Sequence, residues 1–184
     1  MGDHYQSLVP KNVSSNDVAA FAERGTQFLI AREIVLPDST DCILGDGGGY
    51  PPGPASDSVV QEPQRYSHYK TLKTNGVQVI AKRTFFYGWT DFPIQCPKCG
   101  ADHKSHHYVW GDAVDQWYHG DDGALLRCTA CGNATRVTEW EYRGQVAFGD
   151  LGFTFWNWPV LREDFVAEFS LMMQRCVASL CGKI

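Results

Sequence analysis

The sequence predicts an α+β fold: an antiparallel sheet with N- and C-terminal helices and an inserted cysteine module. Three observations carry this expectation. Pattern segments run helix, loop, several strands, helix, without regular βαβ alternation. Two Cys-x-x-Cys-Gly units interrupt the strand region, at Cys96–Gly100 and Cys128–Gly132. Aromatic residues, 13% of the chain, crowd the second half in β-forming company. At 184 residues the chain suits one domain over 1–184, with the module at 94–134.

From the N-terminus, SSNDVAAFAERGTQFLIAREIV offers Ser14, Ser15 or Asn16 as a helix cap. Val18, Phe21 and Ala22 form an apolar face, continued by Phe28, Leu29 and Ile30 after an expected break at Gly25. LPDSTDCILGDGGGYPPGPASDS follows as loop, with its Gly/Pro-rich part at 44–56. No Lys follows the glycine run, so it is not a P-loop. Asn75-Gly76 is the preferred pair for a type I′ turn and predicts a hairpin of 67–74 with 77–87. Beyond the module, RVTEWEYRGQVAFGDLGFTFWNW reads as strands, with turns near Arg143-Gly144 and Gly149. Phe165, Val166, Phe169 and Met172 or Met173 mark an amphipathic helix starting between Pro159 and Arg162. Glu163 and Asp164 in its first turn favour the helix dipole. CVASLCGKI closes the chain as a short strand. The dense aromatics Phe148, Phe153, Phe155, Trp156 and Trp158 fit a core strand with a Trp beneath that helix, or else a recognition surface.

The cysteine spacing is the most specific signal. Two residues between cysteines let one turn aim both sulfurs at one ion, and the following Gly tolerates the backbone this needs. Two such turns supply four thiolates, a closed tetrahedral shell. Cys96, Cys99, Cys128 and Cys131 are therefore the expected ligands of one structural Zn2+ per chain. The 28 residues between the units exceed the usual interval, which an inserted loop explains. This module resembles the zinc-ribbon family, in which two CxxC knuckles at hairpin tips grip one zinc. The resemblance covers about 37 residues and departs from the pattern in the long middle, ADHKSHHYVWGDAVDQWYHGDDGALLR. It implies a local fold and no particular function.

His103, His106, His107 and His119 also lie in the module. Four cysteines already fill a shell, so these histidines are surface or packing residues, or ligands of a second site. HNH nucleases can carry such knuckles around a catalytic Asp-His and a later Asn. Asp102-His103 and Asn133 are similar to that arrangement, which makes a metal-dependent nuclease the main alternative from another class. Against it, Asp-His follows the first knuckle too closely and loop 100–127 has no Asn. Zinc deaminases need an HxE upstream, which is missing. Cys42, Cys176 and Cys181 have no catalytic neighbours in sequence, and the last two read as buried apolar thiols.

Charge narrows the partner. Residues 1–65 carry nine acids and four bases, 66–95 one acid and four bases, and 96–132 five acids and three bases. Only Lys70, Lys73, Lys82 and Arg83 form a basic stretch. A zinc-ribbon adaptor for nucleic acid would have to use it, and a clustered basic face is lacking. The module loop instead interleaves Tyr108, Trp110, Trp117 and Tyr118 with Asp112, Asp115, Asp121 and Asp122. Acidic charge steers a basic protein and aromatics anchor it. Asp112, Trp117, Asp121 and Asp122 are the expected contacts. TDCILGDGGGYPPGP and FGDLGFTFWNWPVLREDFVAEF resemble small bacterial cytosolic proteins, some of which are immunity proteins encoded beside toxins. That resemblance implies a protein-binding role, plausibly neutralising a basic toxin domain, and transfers no functional residue. No apolar run reaches membrane-spanning length and no secretory leader is evident, so a cytoplasmic protein is expected.

Overall fold

The computed structural model describes residues 3–45, 47–88, 92–104, 110–143 and 146–184. It is a mixed α+β structure with antiparallel strand pairing throughout the described residues. The main sheet has four strands in the order β10 (Val177–Lys183), β1 (His4–Pro10), β9 (Gly152–Trp156), β2 (Gly76–Ile80). Helices α1 (Val18–Ala31) and α3 (Glu163–Met173) cover one face. Leu8, Phe153 and Phe155 point into that core with Leu29, Phe165, Phe169 and Met173. Arg32 and Glu168 join the two helices by an ion pair.

Strand alternation sends the neighbouring residues to the opposite face. There Val9 and Leu180 meet Phe86 and Ala147 from a two-stranded ribbon, β3 (Thr84–Tyr87) paired with β8 (Val146–Gly149). The same alternation turns Phe85, Val146 and Phe148 of the ribbon away from the sheet and into the cysteine module. The ribbon is thus a middle layer shared by two cores. This resolves the dense aromatics: Phe148 serves the module, while Phe153, Phe155 and Trp158 pack under α3.

Several sequence expectations are met and several are corrected. The helix over Val18–Ala31 forms, but it runs unbroken through Gly25. Gly25 is buried where the helix meets Phe153, and a Cβ there would overlap the Phe153 ring. Asp17 stands at the cap position without a side-chain capping bond, and Ser14 Oγ instead donates to the Asp17 carboxylate at 2.7 Å. The α3 start at Arg162 and the terminal strand agree with expectation. The N-terminal strand β1 was not expected, because HYQSLVP carries no clear alternation. Gly144 lies outside the described residues, so the turn expected there is not described.

The expected Asn75-Gly76 hairpin does not form. Residues Ser67–Thr71 make a 3-10 turn, and β2 starts at Gly76 and pairs with β9. Asn75 is buried; its side-chain amide donates to the Tyr69 carbonyl and its N–H donates to the Cys42 carbonyl at 2.7 Å. Gly76 is needed for close approach, since a Cβ would strike the Cys42 sulfur. The Gly/Pro loop accordingly has a structural task. It folds back on itself at Thr40 and Gly49, and Tyr50 exchanges backbone bonds of 2.9 Å with Val77. The loop covers the start of the outer edge of β2, at residues 75–77. Cys176 and Cys181 are exposed, a further correction: both lie at or beside β10, the opposite edge of the sheet.

Candidate metal centre

The module places each CxxC unit at the tip of its own hairpin. β4 (Pro93–Gln95) pairs with β5 (Asp102–Lys104) around the first, and β6 (Leu125–Arg127) with β7 (Ala134–Arg136) around the second. The local bonding repeats. Cys96 N–H donates to the Ala101 carbonyl at 3.0 Å and Cys128 N–H to that of Asn133 at 2.8 Å. Gly100 and Gly132 each donate N–H to the carbonyl of the leading cysteine, Cys96 or Cys128, at 2.9 Å. Both glycines sit at positive φ, +71° and +75°, a conformation other residues adopt at a cost.

The two tips face each other. All four sulfurs lie within 4.8 Å of one another, with Cys96 to Cys131 at 3.9 Å and Cys99 to Cys128 at 3.7 Å. These separations exclude disulfides, whose sulfurs are about 2.05 Å apart. Four sulfurs bound tetrahedrally at about 2.3 Å would stand about 3.8 Å apart, so the cluster fits a metal ion and is compatible with zinc. Cys96 and Cys128 are buried within the module core, while Cys99 and Cys131 are exposed.

The thiols are unequal. The Asn133 backbone amide, then its side-chain amide at 3.3 Å, favour the Cys131 thiolate and bring it down to about 6. Burial raises Cys96, but the Cys99 and Lys98 amides prevail and hold it below the ordinary thiol range. At Cys99 the Ala101 amide pulls down; the Cys131 sulfur, desolvation and the remaining sulfurs outweigh it and push the thiol up to about 12. Four thiolates this close repel one another, and a divalent cation relieves that repulsion directly.

Helix α2 (Gly111–Tyr118) and the turn Val137–Glu139 wrap this cluster. Phe92, Ile94, Ala113, Trp117, Leu126, Val137, Trp140 and Tyr142 build a core continuous with Cys96 and Cys128. Trp117 is only 6% exposed, its ring edge-on to Phe148 at 4.9 Å, so it faces the module core rather than solvent. Asp112, Asp115, Asp121 and Asp122 are exposed, as is Tyr118. Asp122 accepts from Arg83 at 2.7 Å; the Asp121 side chain accepts the Gly123 N–H.

Arg83 was not singled out by the sequence for this role. Its guanidinium lies over the Trp117 ring, 4.1 Å from the centroid, and its Nε donates to the Trp117 carbonyl at 2.6 Å. A cation at the C-terminus of α2 suits the helix dipole. Since Arg83 stands between β2 and β3, it latches the module to the body. Of the other basic residues, Lys70 is bridged to Asp57 at 2.7 Å.

The Asp102, His103 and Asn133 set does not converge on one open position. Arg143 grips both Asp102 carboxylate oxygens, at 3.0 and 2.8 Å. His103 lies against the cluster, Nε2 at 3.4 Å from the Cys128 sulfur, and its ring meets Trp140. Asn133 serves Cys131. His106 and His107 lie outside the described residues, as does Tyr108. His119 is on the far end of α2, beside Asp115.

Comparison with known proteins returns no matching family, no matching characterised protein and no matching solved structure. The resemblance to immunity proteins gains no support from it.

Proposed function

We propose that the chain is a non-enzymatic protein-binding protein whose four cysteines hold a structural zinc. The observation that carries this reading is the closed four-sulfur cluster. A catalytic zinc keeps a position for water or substrate, and four thiolates leave none. Two of the sulfurs are core residues of the module, as expected of an ion that replaces hydrophobic area in a small fold. Engagement of Asp102, His103 and Asn133 by Arg143 and the knuckles supports the structural reading over a nuclease.

The partner class follows from what the stapled module presents. Asp112 and Asp115 on α2 and Asp121 just beyond it are exposed, with Tyr118 among them, while Asp122, also exposed, is paired with Arg83. That surface suits a basic protein, and a toxin domain neutralised in a bacterial cytoplasm is the specific form of the reading. Trp117 contributes by holding α2 in place.

Charge reversal tests it. Asp112→Lys with Asp121→Lys should abolish capture of the native partner by the tagged protein, and moderate salt should weaken capture by the unaltered chain. Capture by the double variant equal to the unaltered protein would remove the acidic face from the account.

A further inference from the structure

The two edges of the main sheet differ: a loop bonds the start of one, and the other is open along its length. Tyr50 exchanges backbone bonds with Val77 on β2, and the N–H of Asn75, just before the strand, donates to the Cys42 carbonyl. At the other edge, the end bonds fix the phase of β10. Lys11 N–H donates to the Cys176 carbonyl, and Ile184 N–H donates to the Asp3 carbonyl. Bonded pairs recur at every second residue of an antiparallel ladder. Ala178, Leu180 and Gly182 therefore bond to β1, and Val177, Ser179, Cys181 and Lys183 turn their N–H and C=O groups outward. Among the described residues no backbone group reaches these. Ser179, Cys181 and Lys183 are exposed.

A seven-residue open edge invites pairing, and proteins usually blunt one with central charges, prolines, bulges or a cover. β10 has none of these in its middle. Its one charge, Lys183, is at the end.

We propose that β10 is a dimerisation edge, pairing antiparallel with β10 of a second copy to make one continuous eight-stranded sheet. The sequence VASLCGK is self-complementary about a two-fold axis at Leu180. In that register Val177 bonds opposite Lys183 of the second copy and Ser179 opposite Cys181, so every outward group is used. Leu180 faces its own copy, and Ala178 faces Gly182. No like charges meet, because each Lys183 stands opposite a valine. The exposed Ile184 comes to lie opposite Cys176 of the other chain. An isologous contact of this kind needs only one patch, and it leaves the metal module free at the other side of the ribbon.

The test is sedimentation equilibrium of the 184-residue chain under reducing conditions, beside Ser179→Pro. The Ser179 N–H points outward, so proline there spares the β1 ladder and blocks only the new one. The expected result is a dimer that becomes a monomer in the variant, with metal content unchanged. A monomeric parent chain overturns the proposal, and so does a dimer that survives the substitution. Ser179→Cys provides an arm that does not depend on the proline variant folding. It sets the new thiol opposite Cys181 of the second copy, so mild oxidation should give a covalent dimer that the parent chain does not form. Absence of that species contradicts the register. Neither arm depends on the acidic face or on the metal.

Discussion

At the scale of single residues, three contacts decide more than their residue types suggest. Gly25 lies inside a helix, where alanine would ordinarily add about 1 kcal/mol. Here the added methyl meets the ring of Phe153, itself fully buried against Phe169 and unable to withdraw. Overpacking of that kind costs about 1–3 kcal/mol, so Gly25→Ala should destabilise the protein in urea titration despite its helix propensity. Arg83 makes a charged hydrogen bond, a stacking contact and an ion pair with its side chain about three-quarters covered. Arg83→Ala should cost about 1–3 kcal/mol, and Arg83→Lys should recover less than half, since an ammonium cannot stack and fork together. The cysteines differ in the metal-free chain. Cys131 and Cys99 are both exposed, so access does not separate them. With its pKa lowered to about 6, Cys131 is a thiolate at neutral pH, whereas Cys99, raised to about 12, remains a thiol. Iodoacetamide mapping at pH 7 should label Cys131 before Cys99, and labelling of Cys131 should fall as pH drops through 6. Equal rates would contradict the assigned role of the Asn133 amides.

At the scale of elements, what sequence reveals is periodicity and local chemistry. The terminal helix was legible because Phe165, Phe169 and Met173 recur on one stripe and Glu163 follows a natural start. The knuckles were legible because ligand spacing is a local constraint: a sulfur pair needs its turn, and the turn needs Gly100 or Gly132. The failed hairpin shows the limit. Asn75-Gly76 is a turn signal when nothing else claims those residues; here Cys42 and Tyr69 claim the asparagine, and the approaching loop claims the glycine. The double-faced ribbon was also beyond reach, because Phe85 and Phe86 read as one apolar run although they belong to two cores. Trp117 is the parallel case in the site, an aromatic among aspartates whose ring faces inward. That the module depends on a bound metal is testable at this scale. Chelation should release backbone amides of 93–95, 102–104 and 125–136 to fast hydrogen exchange, while those of β1, β9 and α3 stay protected by their separate core. Uniform loss of protection would mean that the metal supports the entire fold.

At the scale of the molecule, helices, sheet, ribbon and module form successive layers, each holding the next by strand alternation. No helix among the described residues is long and apolar enough to cross a membrane. On the proposed reading a bound metal staples the small, aromatic module so that it keeps an acidic helix in place, and Arg83 latches the module to its body. Proton competition gives this a sign. Thiolates bind the ion and thiols do not, so acidification should release the metal and loosen the module. The most direct measurement is X-ray absorption at the zinc edge on protein purified without added metal. The account predicts one zinc per chain with four sulfur neighbours at about 2.3 Å. Zinc well below one per chain, or a shell containing nitrogen or oxygen in place of sulfur, would contradict it.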